Sequence, residues 1–128
     1  MTPSVRQIEG LTVRVDDVIY MPSLEAPSER PHPFVYFISI RNDSPQTITI
    51  RGRKWIVREK NGETIVVEGE GVVGQTPVLA PGERFSYNSY HVTHSGAVAE
   101  GAYFCQTEDG EWVLARIPEF RLEVPAWA

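Results

Sequence analysis

The stretch Val66-Val67-Glu68-Gly69-Glu70-Gly71-Val72-Val73-Gly74-Gln75-Thr76-Pro77-Val78-Leu79-Ala80-Pro81-Gly82-Glu83 decides the fold class. Gly69, Gly71 and Gly74 spell a G-x-G-x-x-G string, which invites a dinucleotide-binding reading. That fingerprint requires a helix after the glycines, because the helix N-terminus holds the pyrophosphate. No helix can follow here. Pro77 and Pro81 remove backbone donors and clash with the preceding turn. Thr76 and Ala80, each before a proline, are pushed out of the helical region. A strand is predicted ahead of the glycines, over residues 63–67. The string therefore belongs to a long loop in a protein of strands.

Outward from this loop the apolar residues alternate with a period of two. Residues 10–20 read as a strand in which Val13 and Val15 share one parity and Val18 and Tyr20 the other. A phase change inside one apolar pattern predicts a β-bulge at Asp16-Asp17. Residues 21–33 hold four prolines and read as a loop, with His32 as an exposed loop residue. Residues 34–42 are the strongest strand. Phe34, Tyr36, Ile38 and Ile40 share a face, Val35 and Phe37 lie opposite, and two apolar faces predict a central position. Asn42-Asp43-Ser44-Pro45 reads as a turn.

Residues 46–51 and 53–59 read as two further strands, the second carrying Trp55 and Val57 on one face. Asn61-Gly62 then predicts a hairpin through a type I′ turn, which needs positive φ at both central residues. Residues 64–68 return into the glycine loop. Pro81-Gly82 predicts a tight turn, with glycine supplying the positive φ. Strands follow over 85–93, 97–107 and 112–117, the last two joined at Asp109-Gly110. Pro118 is read as an interruption before a short strand over 120–124. Residues 1–10 read as a polar lead-in with room for one short strand. Roughly eight or nine strands at this spacing predict a sandwich or barrel. No stretch keeps a helical period with caps at both ends, and residues 1–128 read as a single domain.

Composition narrows the function classes. Hydrophobic residues make up 41% of the chain, as in a globular protein. Apolar runs of about five residues fall far short of the roughly 20 that a membrane span needs. The residues from Met1 to Gln7 contain no apolar stretch of the secretory type. The one cysteine, Cys105, cannot form an internal disulfide and fits a reducing compartment. A soluble cytoplasmic protein is expected. The net charge of −5 argues against general nucleic-acid binding. Between Arg41 and Lys60, six bases against two acids leave a local excess of +4. Such a patch fits either the solvent side of two strands or a face with a distinct anionic partner.

Taken in order, several motifs resemble one known family, the ApaG proteins. They are Phe34-Val35-Tyr36 with Ile40-Arg41-Asn42, Arg53-Lys54-Trp55-Ile56, Asn61-Gly62, Gly69-Glu70-Gly71-Val72-Val73-Gly74, Pro77-Val78-Leu79 and Pro81-Gly82-Glu83. Tyr87, Ser89, Ser95-Gly96, Gly101, Tyr103, Ile117-Pro118-Glu119-Phe120 and Pro125 continue the series. The resemblance spans about residues 11–125. It departs at Tyr90, where the family often has a small residue, and at Val98, where it often has Met. The resemblance implies an all-β fold, an immunoglobulin-like or fibronectin type III-like antiparallel β-sandwich. It also implies an association with cobalt and magnesium efflux or homeostasis, without a defined biochemical activity.

Four kinds of chemistry are weighed on the residues themselves. For metal, His91 and His94 with Glu100 are the candidates, although an i, i+3 pair on a strand points to opposite faces. No cofactor is expected, a divalent cation being the one candidate. For an anion, the amides of Gly69, Gly71 and Gly74 could form a nest for phosphate, with Arg53 adding a charge-assisted contact. Glu70 inside the loop opposes that reading. For catalysis, Cys105 lacks an adjacent base and no acid–base pair stands out, so no enzyme is expected. For partner binding, Val72, Val73 and Trp55 are the candidate surface. The expected function is a non-enzymatic protein- or small-ligand-binding module in divalent-cation homeostasis. The alternative is a phosphate- or nucleotide-binding protein that uses the 69–74 loop.

Overall fold

The computed structural model describes residues 6–128; the lead-in over residues 1–5 lies outside the described residues. Among the described residues nine strands form two sheets: β1 (Arg6–Gln7), β2 (Leu11–Tyr20), β3 (His32–Asn42), β4 (Ile48–Glu59), β5 (Thr64–Glu70), β6 (Val78–Leu79), β7 (Arg84–Thr93), β8 (Ala97–Thr107) and β9 (Trp112–Leu122). The larger sheet runs β1-β9-β8-β4-β5, with β6 added to the start of β4. The smaller sheet runs β2-β3-β7. Every pairing is antiparallel except β1 with β9. This is the expected all-β sandwich. Among the described residues, no helix is long and apolar enough to cross a membrane.

The core forms where the two inner faces meet. β3 supplies Phe34, Tyr36, Ile38 and Ile40, and the facing sheet supplies Ile48, Ile50, Trp55, Val57, Tyr103 and Ile117. β3 is the central strand of its sheet, as its two apolar faces predict. The bulge in β2 is present, with the register shifting between Val15 and Asp17. Asn42 anchors the turn after β3. Its Oδ1 accepts from Ser44 N (3.0 Å) and Ser44 Oγ (2.6 Å), and its Nδ2 donates to Gln46 O and Leu79 O, both at 2.8 Å.

Several expectations are corrected. Residues 46–51 and 53–59 are one strand, not two. A bulge at Arg51 lets Ile48 and Ile50 and then Trp55 and Val57 face the same core. β9 also runs straight through Pro118, because Pro118 and Glu119 together face one residue of β8, and a bulge is where a strand tolerates proline. His32 and Pro33 belong to β3 rather than to the loop. Pro33 is tolerated because its backbone faces Met21 at the end of β2, where its carbonyl accepts from Met21 N (2.9 Å) and the missing N–H leaves little ladder unpaired. His32 is half-buried and its Nδ1 lies 2.9 Å from the Tyr20 hydroxyl. The turn at Asn61-Gly62 is not type I′. Only Gly62 has a positive φ (96°), and Glu59 N bonds to Glu63 O (2.8 Å). A type I turn followed by a left-handed glycine closes the same hairpin.

The glycine run is shorter as a loop than its sequence suggests. Gly69 and Glu70 are still in β5. Val72 and Gln75 then exchange backbone hydrogen bonds (2.8 and 3.0 Å) around Val73 (φ 44°) and Gly74 (φ 79°). Positive φ at both central positions makes this a type I′ turn. Gly71 is required next to it, since a Cβ there would lie 2.3 Å from the Gln75 carbonyl oxygen.

Candidate functional site: a cleft at the open edge of the sandwich

The two sheets differ in width, and they part at β5 and β7. Between these strands lies a cleft of about 500 Å³. Small-molecule sites occupy roughly 300–1,000 Å³. Its floor follows from strand alternation. On β4 the inward row is Arg53, Trp55 and Val57, registered against Gly69, Val67 and Ile65 of β5. On β7 the inward row Phe85, Tyr87, Ser89, His91 delivers Ser89 and His91 to the cleft. Tyr36 of β3 closes the inner wall, and Arg30 of the loop before β3 forms one rim.

Three rings meet at the floor. The His91 ring centroid lies 4.8 Å from those of both Tyr36 and Trp55, tilted by 30° to the first and edge-on to the second at 80°. Tyr36 and Trp55 are 5.0 Å apart, and both are almost fully buried. Burial pushes the His91 pKa down to about 4, so the ring is neutral near pH 7. Its Nε2 is buried and has no hydrogen-bond partner among the described residues. Most buried polar groups find a partner, so this atom marks a place where one is missing. Burial also raises the Tyr36 pKa, opposed by a hydrogen bond with Ser89 and by the charge of Arg53.

Opposite guanidinium groups bound the cleft. At one end Arg30 reaches Glu59 (3.2 Å) and Glu63 (3.1 Å). The Glu59 carboxylate is buried and also accepts from His94 N (2.6 Å). At the other end Arg53 Nη1 donates to the carbonyls of Glu70 (2.9 Å) and Gly71 (3.1 Å). Gly69 makes room for it, since a Cβ there would sit 2.7 Å from that nitrogen. Among the described residues, Arg53 has no carboxylate within ion-pair distance.

Residues 22–107, which include the floor and both rims, match the ApaG domain family. The chain belongs to that family. It is 44% identical over 106 residues to Protein ApaG of Acidovorax sp. (strain JS42), covering 81% of this chain and 77% of the relative. It is 41% identical over 108 residues to Protein ApaG of Rhodopseudomonas palustris (strain TIE-1), covering 83% of this chain and 82% of the relative. Among solved structures, the putative ApaA protein from Bordetella pertussis superposes with a TM-score of 0.82 at 34% identity. The superposition covers 96% of this chain and 99% of that one.

The residues singled out in this ApaG-family sequence fall in different places. Trp55 and Arg53 line the cleft. Val72 is fully buried while Val73 is 47% exposed, so Val72, Val73 and Trp55 do not form one continuous surface. Gly69 and Gly71 do lie beside Arg53, whereas Gly74 sits in the turn beyond, and it is carbonyls that face the guanidinium. The amides of Gly71, Val72 and Gln75 are taken up by the Arg51, Gln75 and Val72 carbonyls. His91 points into the cleft, His94 is exposed, and Glu100 pairs with Arg58 (3.2 Å). Among the described residues no three His, Cys, Asp or Glu side chains converge as metal ligands would. Cys105 is fully buried and burial pushes its thiol up to about 12.

The sequence puts His91 with His94 and Glu100 as metal candidates and leaves Tyr36, Ser89 and Arg30 outside any site. The signal for His91 was present. Phe85 and Tyr87 set an inward parity that Ser89 and His91 continue, whereas Tyr90 belongs to the outward row. The pairing of β7 with β3, and the absence of a strand beyond it, are not written in that alternation.

Proposed function

We propose that this chain is a non-enzymatic binding module of the ApaG family whose ligand seat is the cleft between β5 and β7. The observation that carries the reading is the unpartnered His91 Nε2 on an aromatic floor. A neutral imidazole with one open nitrogen gives or takes a single hydrogen bond, and the surrounding rings supply apolar contact. Arg53 adds a positive group at one end. The non-enzymatic reading is supported by the same residues. Among the described residues no hydroxyl, thiol or carboxylate is bonded to His91 Nε2, and Cys105 is a buried thiol with a strongly raised pKa. The association with cobalt and magnesium homeostasis then runs through whatever occupies the cleft, with the cytoplasm as the expected compartment.

A fragment screen by ¹⁵N–¹H correlation spectroscopy tests this reading. Small heteroaromatic and amide fragments at millimolar concentration are expected to shift the Ser89, Tyr90 and His91 amides and the Trp55 indole, and His91→Phe is expected to abolish those shifts. Fragments that bind only elsewhere, or that bind the variant equally well, would refute the cleft as the seat.

A further inference from the structure

The cleft has the form of an absent strand. Five strands line up in one sheet and three in the other. Among the described residues no strand pairs beyond β7 in the smaller sheet, and only Glu25, Pro27 and Arg30 of the loop before β3 reach the cleft from that side. Val67 shows the result. It is registered with Trp55, which is 2% exposed, and faces the same way, yet it is itself 40% exposed. An inward valine left this open lies where the opposing layer has ended.

The free edge beside that opening is β7. Backbone groups along a strand point alternately to its two neighbours. Asn42 N–H bonds to Glu83 O, and the Pro33 carbonyl accepts from Met21 N. The even-numbered residues of β3 therefore bond toward β7, where their partners are Phe85, Tyr87, Ser89 and His91. The backbone groups of Asn88, Tyr90 and Val92 must point outward, and no backbone bond among the described residues reaches them.

Sheet edges are normally blunted by charge, proline, bulges or short length. The other edges of this molecule follow that rule. β2 carries Arg14, Asp16, Asp17 and a bulge, β5 carries Glu68 and Glu70, and β1 has two residues. From Ser86 to Val92, β7 carries none of these devices; its residues there are Ser, Tyr, Asn, Ser, Tyr, His and Val.

We propose that the cleft takes an extended peptide segment of a partner protein, paired to the free edge of β7 as a fourth strand of the smaller sheet. The inference rests on the cleft being the ligand seat and names the occupant. Backbone pairing to Asn88, Tyr90 and Val92 supplies the affinity common to strand addition, and alternate side chains supply the specificity. Inward apolar side chains of the peptide cover Val67 and Trp55. An inward hydroxyl or amide completes His91 Nε2. An acidic side chain pairs with Arg53, which has no carboxylate within ion-pair distance among the described residues.

The test begins with random ten-residue peptides displayed on phage, selected on the full chain and counter-selected on Val67→Glu. Val67 is partly exposed, so the variant is expected to fold, and its circular dichroism checks this. The expected consensus alternates apolar and polar positions with an acid near one end. In the complex with the tightest peptide, hydrogen exchange at the Asn88, Tyr90 and Val92 amides is expected to slow at least tenfold. Val67→Glu is expected to weaken binding at least tenfold, and Val78→Glu, at an exposed site outside the cleft, to leave it unchanged. If the His91 and Trp55 side-chain signals shift but the three amides keep their free exchange rates, the strand is overturned and the cleft reading stands. Selected peptides that perturb neither set, or that bind Val67→Glu as well as wild type, overturn both. A doubled mass by light scattering, with the three amides protected before any peptide is added, assigns the edge to a second copy and overturns the partner peptide.

Discussion

His91 makes stability depend on pH, because burial separates its folded pKa from its unfolded one. In the unfolded chain its ring has an ordinary pKa near 6.5, and in the folded protein burial lowers it to about 4. Between those values the unfolded state binds the proton and the folded state does not. Unfolding is therefore favoured as the pH falls through that window. The stabilisation is fully present above pH 6.5 and is lost as the pH drops toward 4. Each pKa unit corresponds to ~1.4 kcal/mol, so the loss attributable to this ring is about 3 kcal/mol. Urea unfolding at pH 7, 6, 5 and 4 measures it, with wild type compared to His91→Phe. Exposed carboxylates contribute to both proteins, so the difference between the two curves isolates the imidazole. Wild type is expected to lose about 3 kcal/mol more than the variant between pH 7 and pH 4. A carbon-detected titration of the ring reports its pKa directly. A His91 midpoint near 6.5, or parallel stability curves for the two proteins, would refute the claim that desolvation governs this residue.

Three further outcomes are expected. Gly71→Ala should cost about 1–3 kcal/mol by urea denaturation, because its Cβ meets the Gln75 carbonyl oxygen and its φ is positive. Gly74→Ala, with open space around its Cβ, should cost less, and equal losses would show that the close approach at Gly71 is immaterial. Asn42→Ala should lose about 1–3 kcal/mol, since the Leu79 carbonyl and the turn to Ser44 lose their buried partner. An unchanged urea midpoint would contradict that. Cys105 should resist a thiol reagent in native buffer at pH 8 and react at once in denaturant, and rapid native labelling would show that the thiol is accessible.

Most of the architecture was legible because period-two alternation survives in nearly every strand. Phe34, Tyr36, Ile38 and Ile40 announced a central strand, and the change of phase at Asp16-Asp17 announced a bulge. Prolines and glycines were harder. Gly52 and Pro118 look like breaks, yet each sits at a bulge that only the partner strand reveals. Asn61-Gly62 suggested a type I′ turn, while the turn of that type formed at Val73-Gly74, where a valine takes the positive φ. Turn type there is set by the strands it must join, not by the dipeptide alone. The site was less visible still. Tyr36, Trp55 and His91 come from three strands in two sheets, so no spacing rule relates them. The cleft exists because one sheet stops short, a property of pairing order that no local pattern encodes.

That pairing order also sets how the chain can reach its native state. Three antiparallel neighbours are close in sequence: β2 with β3, β4 with β5, and β8 with β9. The contacts that join them are not. β3 meets β7 through pairs such as Tyr36 with Ser89, and β4 meets β8 through pairs such as Trp55 with Gly101. Each requires closing a loop of some fifty residues before any side-chain contact rewards it. Neither sheet can be assembled until the chain beyond β6 is present, and the core residues Val113, Ala115, Ile117 and Leu122 arrive with the final strand. Local hairpins should therefore form early and the sandwich late, on the millisecond-to-second scale of high-contact-order β proteins. Until β7 and β8 dock, β3 and β4, two of the most apolar strands of the molecule, each lack their second neighbour, and that interval is when this chain is most exposed to self-association.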